Sequence, residues 1–310
     1  MRIAPTGILA LAALVLAAAP LAAQHKNKSR SRSDDGTRID TTVTVSRGAT
    51  IELSILSGDI KVTSWDKPQV RISAYSEEGD LRFEATSSRI LLTQEDENGD
   101  GGDTQYEVTV PKDARVVAGS ISGDVVVRGV AQLEGNSVSG TVTAVDIAGR
   151  TSLQSVSGDV NGSNVGGPVS AQSVSGDVSL AGETGDLNVQ TVSGELKLRD
   201  VKSSYVKTST VSGDLQFQGD LDPKGRYEFH SHSGSFTLVV PRGTGAQVSF
   251  RGFSGELHST CQMTLMPGDS PRHGSGMTFT IGGGGAKVNI ETFSGDVDFQ
   301  GCGTSKSKEN

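Results

Sequence analysis

The chain has 310 residues, a formal net charge of −8 at pH 7, 40 glycines, 2 cysteines and 5% aromatic residues. An acidic balance of this kind argues against nucleic acid as a partner. Abundant Gly, Val, Ser and Thr with few aromatics fits many short β-strands joined by tight turns.

Residues 1–23 read as a secretory signal peptide: Arg2 supplies a positive start, Ile8 to Ala19 is an apolar run short for a bilayer span, and Pro20-Leu21-Ala22-Ala23 offers small residues for cleavage. No cysteine lies near that point, which argues against a lipoprotein. Cleavage removes Arg2 and takes the charge from −8 to −9. The expectation is an exported chain, in the periplasm, at the cell surface or secreted, with no transmembrane span after cleavage. Residues 24–37 lack apolar periodicity and read as a disordered polar linker. Its Lys26, Lys28, Arg30 and Arg32 are better read as a solvated leader than as an anionic-surface contact.

From residue 38 to residue 303 one phrase returns. It reads Ser155-Val156-Ser157-Gly158-Asp159-Val160, then Ser173-Val174-Ser175-Gly176-Asp177-Val178, then Thr191-Val192-Ser193-Gly194-Glu195-Leu196, with 18 residues between successive glycines. A fixed period of this size signals a solenoid, in which each repeat buries its apolar face by stacking on a neighbour. The spacing predicts an all-β, single-domain parallel β-solenoid (β-helix) of about 18-residue coils, roughly ten to twelve in number, with right-handed winding favoured. Each period splits into two halves of nine. With Gly185 as position 1, Leu187, Val189 and Val192 fall at positions 3, 5 and 8; from Gly194 the same positions hold Leu196, Leu198 and Val201. Positions 3 and 5 share one strand face. A bend before position 8 is expected to turn it inward as well, which buries Val156, Val174 and Val192. The alternative keeps strict alternation and leaves the valine of Val-Ser-Gly outside as an exposed apolar stripe. Bulkier residues in this frame towards both ends (Trp65, Tyr75, Phe250, Phe253, Phe293) suggest plugs for the end coils.

Two segments interrupt the frame: the acidic loop Glu95–Asp103, and Gln262–Gly276. Deleting the second aligns Phe253-Ser254-Gly255 with Phe293-Ser294-Gly295 on neighbouring coils, and places Cys261 and Cys302 seven and eight residues after equivalent serines. Coils about 4.8 Å apart leave such a pair within disulfide reach, as expected for an exported protein. Residues 304–310 read as a disordered tail.

At this point the chain resembles a family of exported bacterial β-strand-repeat proteins, the "putative adhesin" domain-of-unknown-function family. The resemblance is carried by Ser57-Gly58-Asp59-Ile60-Lys61-Val62-Thr63-Ser64-Trp65-Asp66, by Tyr106-Glu107-Val108-Thr109-Val110-Pro111-Lys112 followed by Ile121-Ser122-Gly123-Asp124, and by the Ser-Gly-Asp turns. It covers roughly residues 39 to 302 and implies a parallel β-solenoid at the cell envelope, without catalytic residues to carry over.

Four features were candidates for chemistry. Asp96-Glu97-Asn98-Gly99-Asp100-Gly101-Gly102-Asp103-Thr104-Gln105-Tyr106-Glu107 fits calcium-loop spacing, with Asp96, Asn98, Asp100, Gly102 and Glu107 as ligands. Strand-like flanks and Asp103 at an ordinarily apolar position favour a solvated acidic turn, so calcium is the one candidate cofactor and otherwise none is expected. The recurrent Asp of Ser-Gly-Asp is better read as turn chemistry than as a cation ladder. His230, His232 and His258 could begin a zinc site, but His232 falls at core position 8. No G-x-S-x-G elbow with plausible partners occurs, and no enzyme is expected. The leading expectation is a non-catalytic envelope or secreted protein with an adhesin-like binding or envelope-stress role, its partner a cell-surface polysaccharide or an envelope protein. A ligand-free spacer or scaffold is the second reading and a carbohydrate-active β-helix enzyme the third.

Overall fold

The computed structural model describes residues 36–95, 102–241, 243–266 and 276–301. These residues form 26 β-strands and no helix. The N-terminal group is β1 (Thr37–Thr44), β2 (Thr50–Trp65), β3 (Gln69–Ser76), β4 (Asp80–Ala85), β5 (Arg89–Glu95) and β6 (Thr104–Pro111). The repeats follow as β7 (Arg115–Ser122), β8 (Val125–Arg128), β9 (Gln132–Ser139), β10 (Val142–Val145), β11 (Thr151–Ser157), β12 (Val160–Ser163), β13 (Val169–Ser175) and β14 (Val178–Ala181). They continue as β15 (Leu187–Ser193), β16 (Leu196–Val201), β17 (Tyr205–Ser212), β18 (Leu215–Gly219), β19 (Arg226–Ser233) and β20 (Phe236–Val239). The C-terminal group is β21 (Ala246–Ser254), β22 (Leu257–Ser259), β23 (Met263–Leu265), β24 (Met277–Ile281), β25 (Ala286–Ser294) and β26 (Val297–Gln300).

The expected repeat is present as a β-solenoid-like stack. Long strands pair in parallel with long strands, β7 to β9, β11, β13, β15, β17 and β19 in turn. Short strands do the same from β8 to β10, β12, β14, β16, β18 and β20. In the middle each residue pairs with the one 18 positions on, as Leu153 with Ala171 and Val160 with Val178. Residues at positions 3 and 5 line the interior: Leu153, Ala171, Val189, Val160, Leu180 and Leu198 are all fully buried. Large and small residues interdigitate along the columns. A Cβ on Gly162 would come within 2.6 Å of a Leu180 methyl, so the Leu needs the Gly above it.

At both ends the wholly parallel expectation gives way to antiparallel caps: β1 on β3, β3 on β6, β4 on β5, β24 on β21 and β23 on β24. These strands cover edges that a bare coil would leave unpaired. The chain order also breaks at the C-terminal end. β25 lies between β19 and β21, and β26 lies between β20 and β22, so the last strands in sequence insert before the last coil in space. Of the bulky plugs expected at the ends, Phe250 is buried, whereas Trp65 and Tyr75 are only half-buried. Phe217, Tyr227, Phe229, Phe236 and Phe299 fill the C-terminal interior, and Phe217 meets Tyr227 and Phe229 edge-on at 5.9 and 5.6 Å. Phe253 and Phe293, expected inside, are exposed.

Position 8 is where the structure corrects the frame. The two halves of a coil differ. After each long strand, Val156 and Val174 are exposed and Val192 is half-buried; in the other half Val201 is buried, as is its counterpart Val165. The long strand runs straight through position 7, so Ser155 points in and Val156 points out by simple alternation. The short strands β10 and β12 stop at position 6, β16 breaks register between Leu198 and Val201, and position 7 takes a left-handed backbone: Asp146 (φ 56°), Asn164 (φ 57°) and Asp200 (φ 54°). That residue reverses the parity and returns Ile147, Val165 and Val201 to the interior. Asn and Asp are among the few non-Gly residues that adopt this conformation readily.

Candidate functional site

The corner Ser-Val-Ser-Gly-Asp lies between a long and a short strand, and each of its residues has a separate task. The first Ser turns inward and donates its hydroxyl to the corner glycine carbonyl of the preceding coil: Ser137 to Gly123 (3.2 Å), Ser155 to Gly140 (3.1 Å) and Ser173 to Gly158 (3.1 Å). The Gly permits close stacking. At Gly123 (φ 135°) a Cβ would fall 1.9 Å from the Gly58 carbonyl oxygen. The Asp accepts the backbone N–H of its counterpart on the next coil. Asp59 accepts from Asp124 (3.0 Å), Asp124 from Thr141 (2.7 Å), Asp159 from Asp177 (3.0 Å) and Asp177 from Glu195 (2.8 Å). Turn chemistry thus accounts for the recurring acid.

The remaining members of the phrase face solvent and form columns. The valine column runs Leu56, Ile121, Val138, Val156, Val174, Val192, Val211, His232, Phe293 and Phe253, each set between residues paired across neighbouring coils. Ile121 is 52% exposed, Val156 48%, Phe293 49% and Phe253 67%. Phe253 stacks on Phe293 and Phe293 on His232, both with centroids 4.9 Å apart and rings within 10° of parallel. His232 is therefore an exposed stacking residue and not a core one. An amide column, Asn136, Gln154, Gln172 and Gln190, runs beside the valines, and a serine column, Ser139, Ser157, Ser175 and Ser193, runs on their other side.

The candidate ligand sets are only partly within view. Asp96, Asn98 and Asp100 lie outside the described residues, as does Cys302. The Gly102 carbonyl accepts Gln94 Nε2 (3.4 Å) and Thr104 Oγ1 (3.3 Å). Glu107 lies exposed on β6, and strand continues from Thr104 through it. His230 Nδ1 is 3.2 Å from Glu291, and His258 Nε2 is 3.4 Å from Glu256 on the other sheet. No group of three or more His, Cys, Asp or Glu suited to a metal occurs among the described residues. Cys261 is buried, and the register that pairs Ser259 with Phe299 places it opposite Gly301, next to Cys302 in sequence.

One chemically loaded residue escaped the sequence reading. Glu183 is fully buried in the interior column that elsewhere holds Val130, Ile147, Val165 and Val201. Its Oε2 accepts the Val165 N–H at 2.9 Å, while Oε1 has no partner. Burial pushes its carboxyl up to about 7, against the pull of the Val165 and Ala181 amides. The signal was available, since an acid occupies a position that is aliphatic in neighbouring coils.

A family model described as Toastrack DUF4097 matches residues 86–300. No curated protein matches the chain. Among solved structures, a "putative adhesin" from Parabacteroides distasonis ATCC 8503 is 8% identical, covers 85% of this chain and 98% of its own, and has a TM-score of 0.45. A "putative adhesin" from Bacteroides fragilis NCTC 9343 is 11% identical, with coverage of 85% and 97% and a TM-score of 0.40. A "putative cell adhesion protein" from Clostridium sporogenes ATCC 15579 is 12% identical, with coverage of 85% and 99% and a TM-score of 0.23.

Proposed function

The chain belongs to the Toastrack DUF4097 family, and from that premise we propose that it is an exported, non-catalytic protein of the cell envelope that binds a repetitive polymer, a cell-surface polysaccharide, along its outer faces. The observation that supports this is the regularity of those faces. Ser152, Ser170 and Asn188 form one outward polar column on the long strands, and Thr143, Asn161 and Ser179 form another on the short strands. Equivalent hydrogen-bonding groups recur about every 4.8 Å. A polymer with repeating hydroxyls engages several such sites at once, so weak single contacts sum through effective concentration. The same reading includes cleavage after residue 23, right-handed winding and a Cys261–Cys302 disulfide that ties the two C-terminal coils. Two titratable thiols in the folded, unreduced protein would remove the disulfide from it.

The test is a glycan and peptidoglycan array probed with the mature chain. Binding that strengthens with polymer length supports the proposal. Absence of binding to every polymer refutes it and leaves the ligand-free scaffold as the working description.

A further inference from the structure

The valine column makes no contribution to the interior, and turn chemistry does not require it. Ten side chains in register, nine spacings of about 4.8 Å, make a line about 43 Å long. Seven of the ten are exposed apolar side chains, Leu56 and Val192 are half-buried and His232 is polar, and largely apolar exposed surface of this extent is a mark of an interaction site.

We propose that a second copy of this chain docks along the column, with both copies pointing the same way about a two-fold axis parallel to the stack of coils. Three observations select this occupant. The first is the repeat. A partner that contacts every coil over about 43 Å must carry the same spacing, and a second copy carries it by construction. The small serine column beside the valines, Ser139, Ser157, Ser175 and Ser193, leaves a shallow row in which the partner's side chains can lie.

The second is charge. The acids of the Ser-Gly-Asp turns, Asp159, Asp177, Glu195 and Asp214, run along the serine side of the column. The amide column, Asn136, Gln154, Gln172 and Gln190, runs along the other. A parallel two-fold sets the acids of one copy against the amides of the other. An antiparallel pair would set acid against acid along its length, at a cost. At the aromatic end Arg251, exposed and two residues before Phe253, occupies the amide side but is bonded to Glu291 of the neighbouring coil at 3.2 Å, so the acid–amide match is confined to the middle coils.

The third is the aromatic stack. Phe293 has both ring faces covered, by Phe253 and by His232. A sugar ring, which needs a free aromatic face, finds little along this stretch, whereas an apolar protein surface can pack on ring edges. Size agrees as well. A standard interface needs about 800 Å² per partner, which over 43 Å is a band about 19 Å wide, and the amide, valine, serine and acid columns together form such a band. This pairing leaves the outward columns Ser152–Ser170–Asn188 and Thr143–Asn161–Ser179 free, so it stands or falls apart from polymer binding.

Sedimentation of the mature chain over a wide concentration range tests the proposal. The expected result is a reversible dimer, weakened on the order of a hundredfold in Val156→Asp/Val174→Asp, with an unchanged far-ultraviolet circular dichroism spectrum and thermal transition at low concentration. Ser139→Cys and Ser212→Cys, made separately, should each cross-link to its own counterpart under mild oxidation, while the parent chain does not. A chain that stays monomeric at every concentration overturns the proposal, as does a dimer that the double variant leaves intact. Cross-links formed only in a mixture of the two cysteine variants overturn the parallel arrangement.

Discussion

Each coil turns twice, and the two corners solve the same problem in opposite ways. At the Ser-Gly-Asp corner the long strand keeps its alternation, a hydroxyl residue takes the inward position and the aliphatic residue is left outside. At the other corner a left-handed Asp or Asn breaks the alternation and brings the aliphatic residue in. One corner builds an outer surface and the other builds core. At Ser137, Ser155 and Ser173 the inward hydroxyl is satisfied by a carbonyl of the preceding coil, whereas at Ser120, Thr210 and Thr292 the buried oxygen has no partner and its burial is a cost the coil bears.

The sharpest test of this contrast is one substitution made at both corners. Val165→Asp would bury a second carboxyl beside Glu183 in the inner column and is expected to cost about 4 kcal/mol or more, a large part of the stability of an ordinary domain. Val156→Asp changes an exposed residue and is expected to cost about 0.5 kcal/mol or less. Urea unfolding at low protein concentration measures both. Equal costs would mean that the two corners are not different in kind.

Nature has already placed an acid in the inner column, at Glu183, and its titration gives the second test. Its carboxyl is raised from 4.5 to about 7 in the folded chain. Below about pH 4.5 it is protonated in both states and contributes no pH dependence. Between about 4.5 and 7 the unfolded chain ionises first, so stability falls as pH rises, by about 3 kcal/mol in all, and levels off above 7. Glu183→Gln keeps an oxygen for the Val165 N–H and cannot ionise. The variant is expected to lose that decline and to exceed the parent in stability at pH 8; a parallel pH profile in parent and variant would disprove the assignment.

Asn164→Ala probes the left-handed corner directly and is expected to cost about 1 kcal/mol, whereas Asn164→Gly should be close to neutral. Thermal unfolding of the pair separates backbone strain from the loss of the Asn164–Asp146 side-chain bond at 3.0 Å, because both variants lack that bond.

The repeat, its parallel stacking and most of the interior were legible because period-2 and period-9 spacing are properties of the backbone. The error at position 8 arose from giving both halves one geometry. The distinction was written at position 7, where Ser155, Ser173 and Thr191 favour extended strand while Asp146, Asn164 and Asp200 favour a left-handed turn. The insertion of β25 between β19 and β21 was not legible. β21 and β25 share the same apolar spacing and the same Phe-Ser-Gly ending, so local sequence cannot say which stacks first.

The smallest expected effect tests whether the acids of the Ser-Gly-Asp corner act as charges or as acceptors. Asp159 Oδ1 accepts the Asp177 amide at 3.0 Å, and Asp177 passes the same bond on to Glu195 at 2.8 Å. Asp159→Ala removes the acceptor and is expected to cost about 1 kcal/mol. Asp159→Asn retains a carbonyl oxygen in the same place and should cost only a few tenths, with part of that offset by relief of repulsion between acids stacked about 4.8 Å apart. Thr141 and Ser235 already occupy this position in two coils, so the turn itself does not require a charge. Thermal melts of the two variants at low and high salt decide the matter. If Asn proves as costly as Ala at both salt concentrations, the carboxylate's charge and not its geometry holds the corner, and the contrast between an acceptor-capped corner and a backbone-reversed one would have to be redrawn in electrostatic terms.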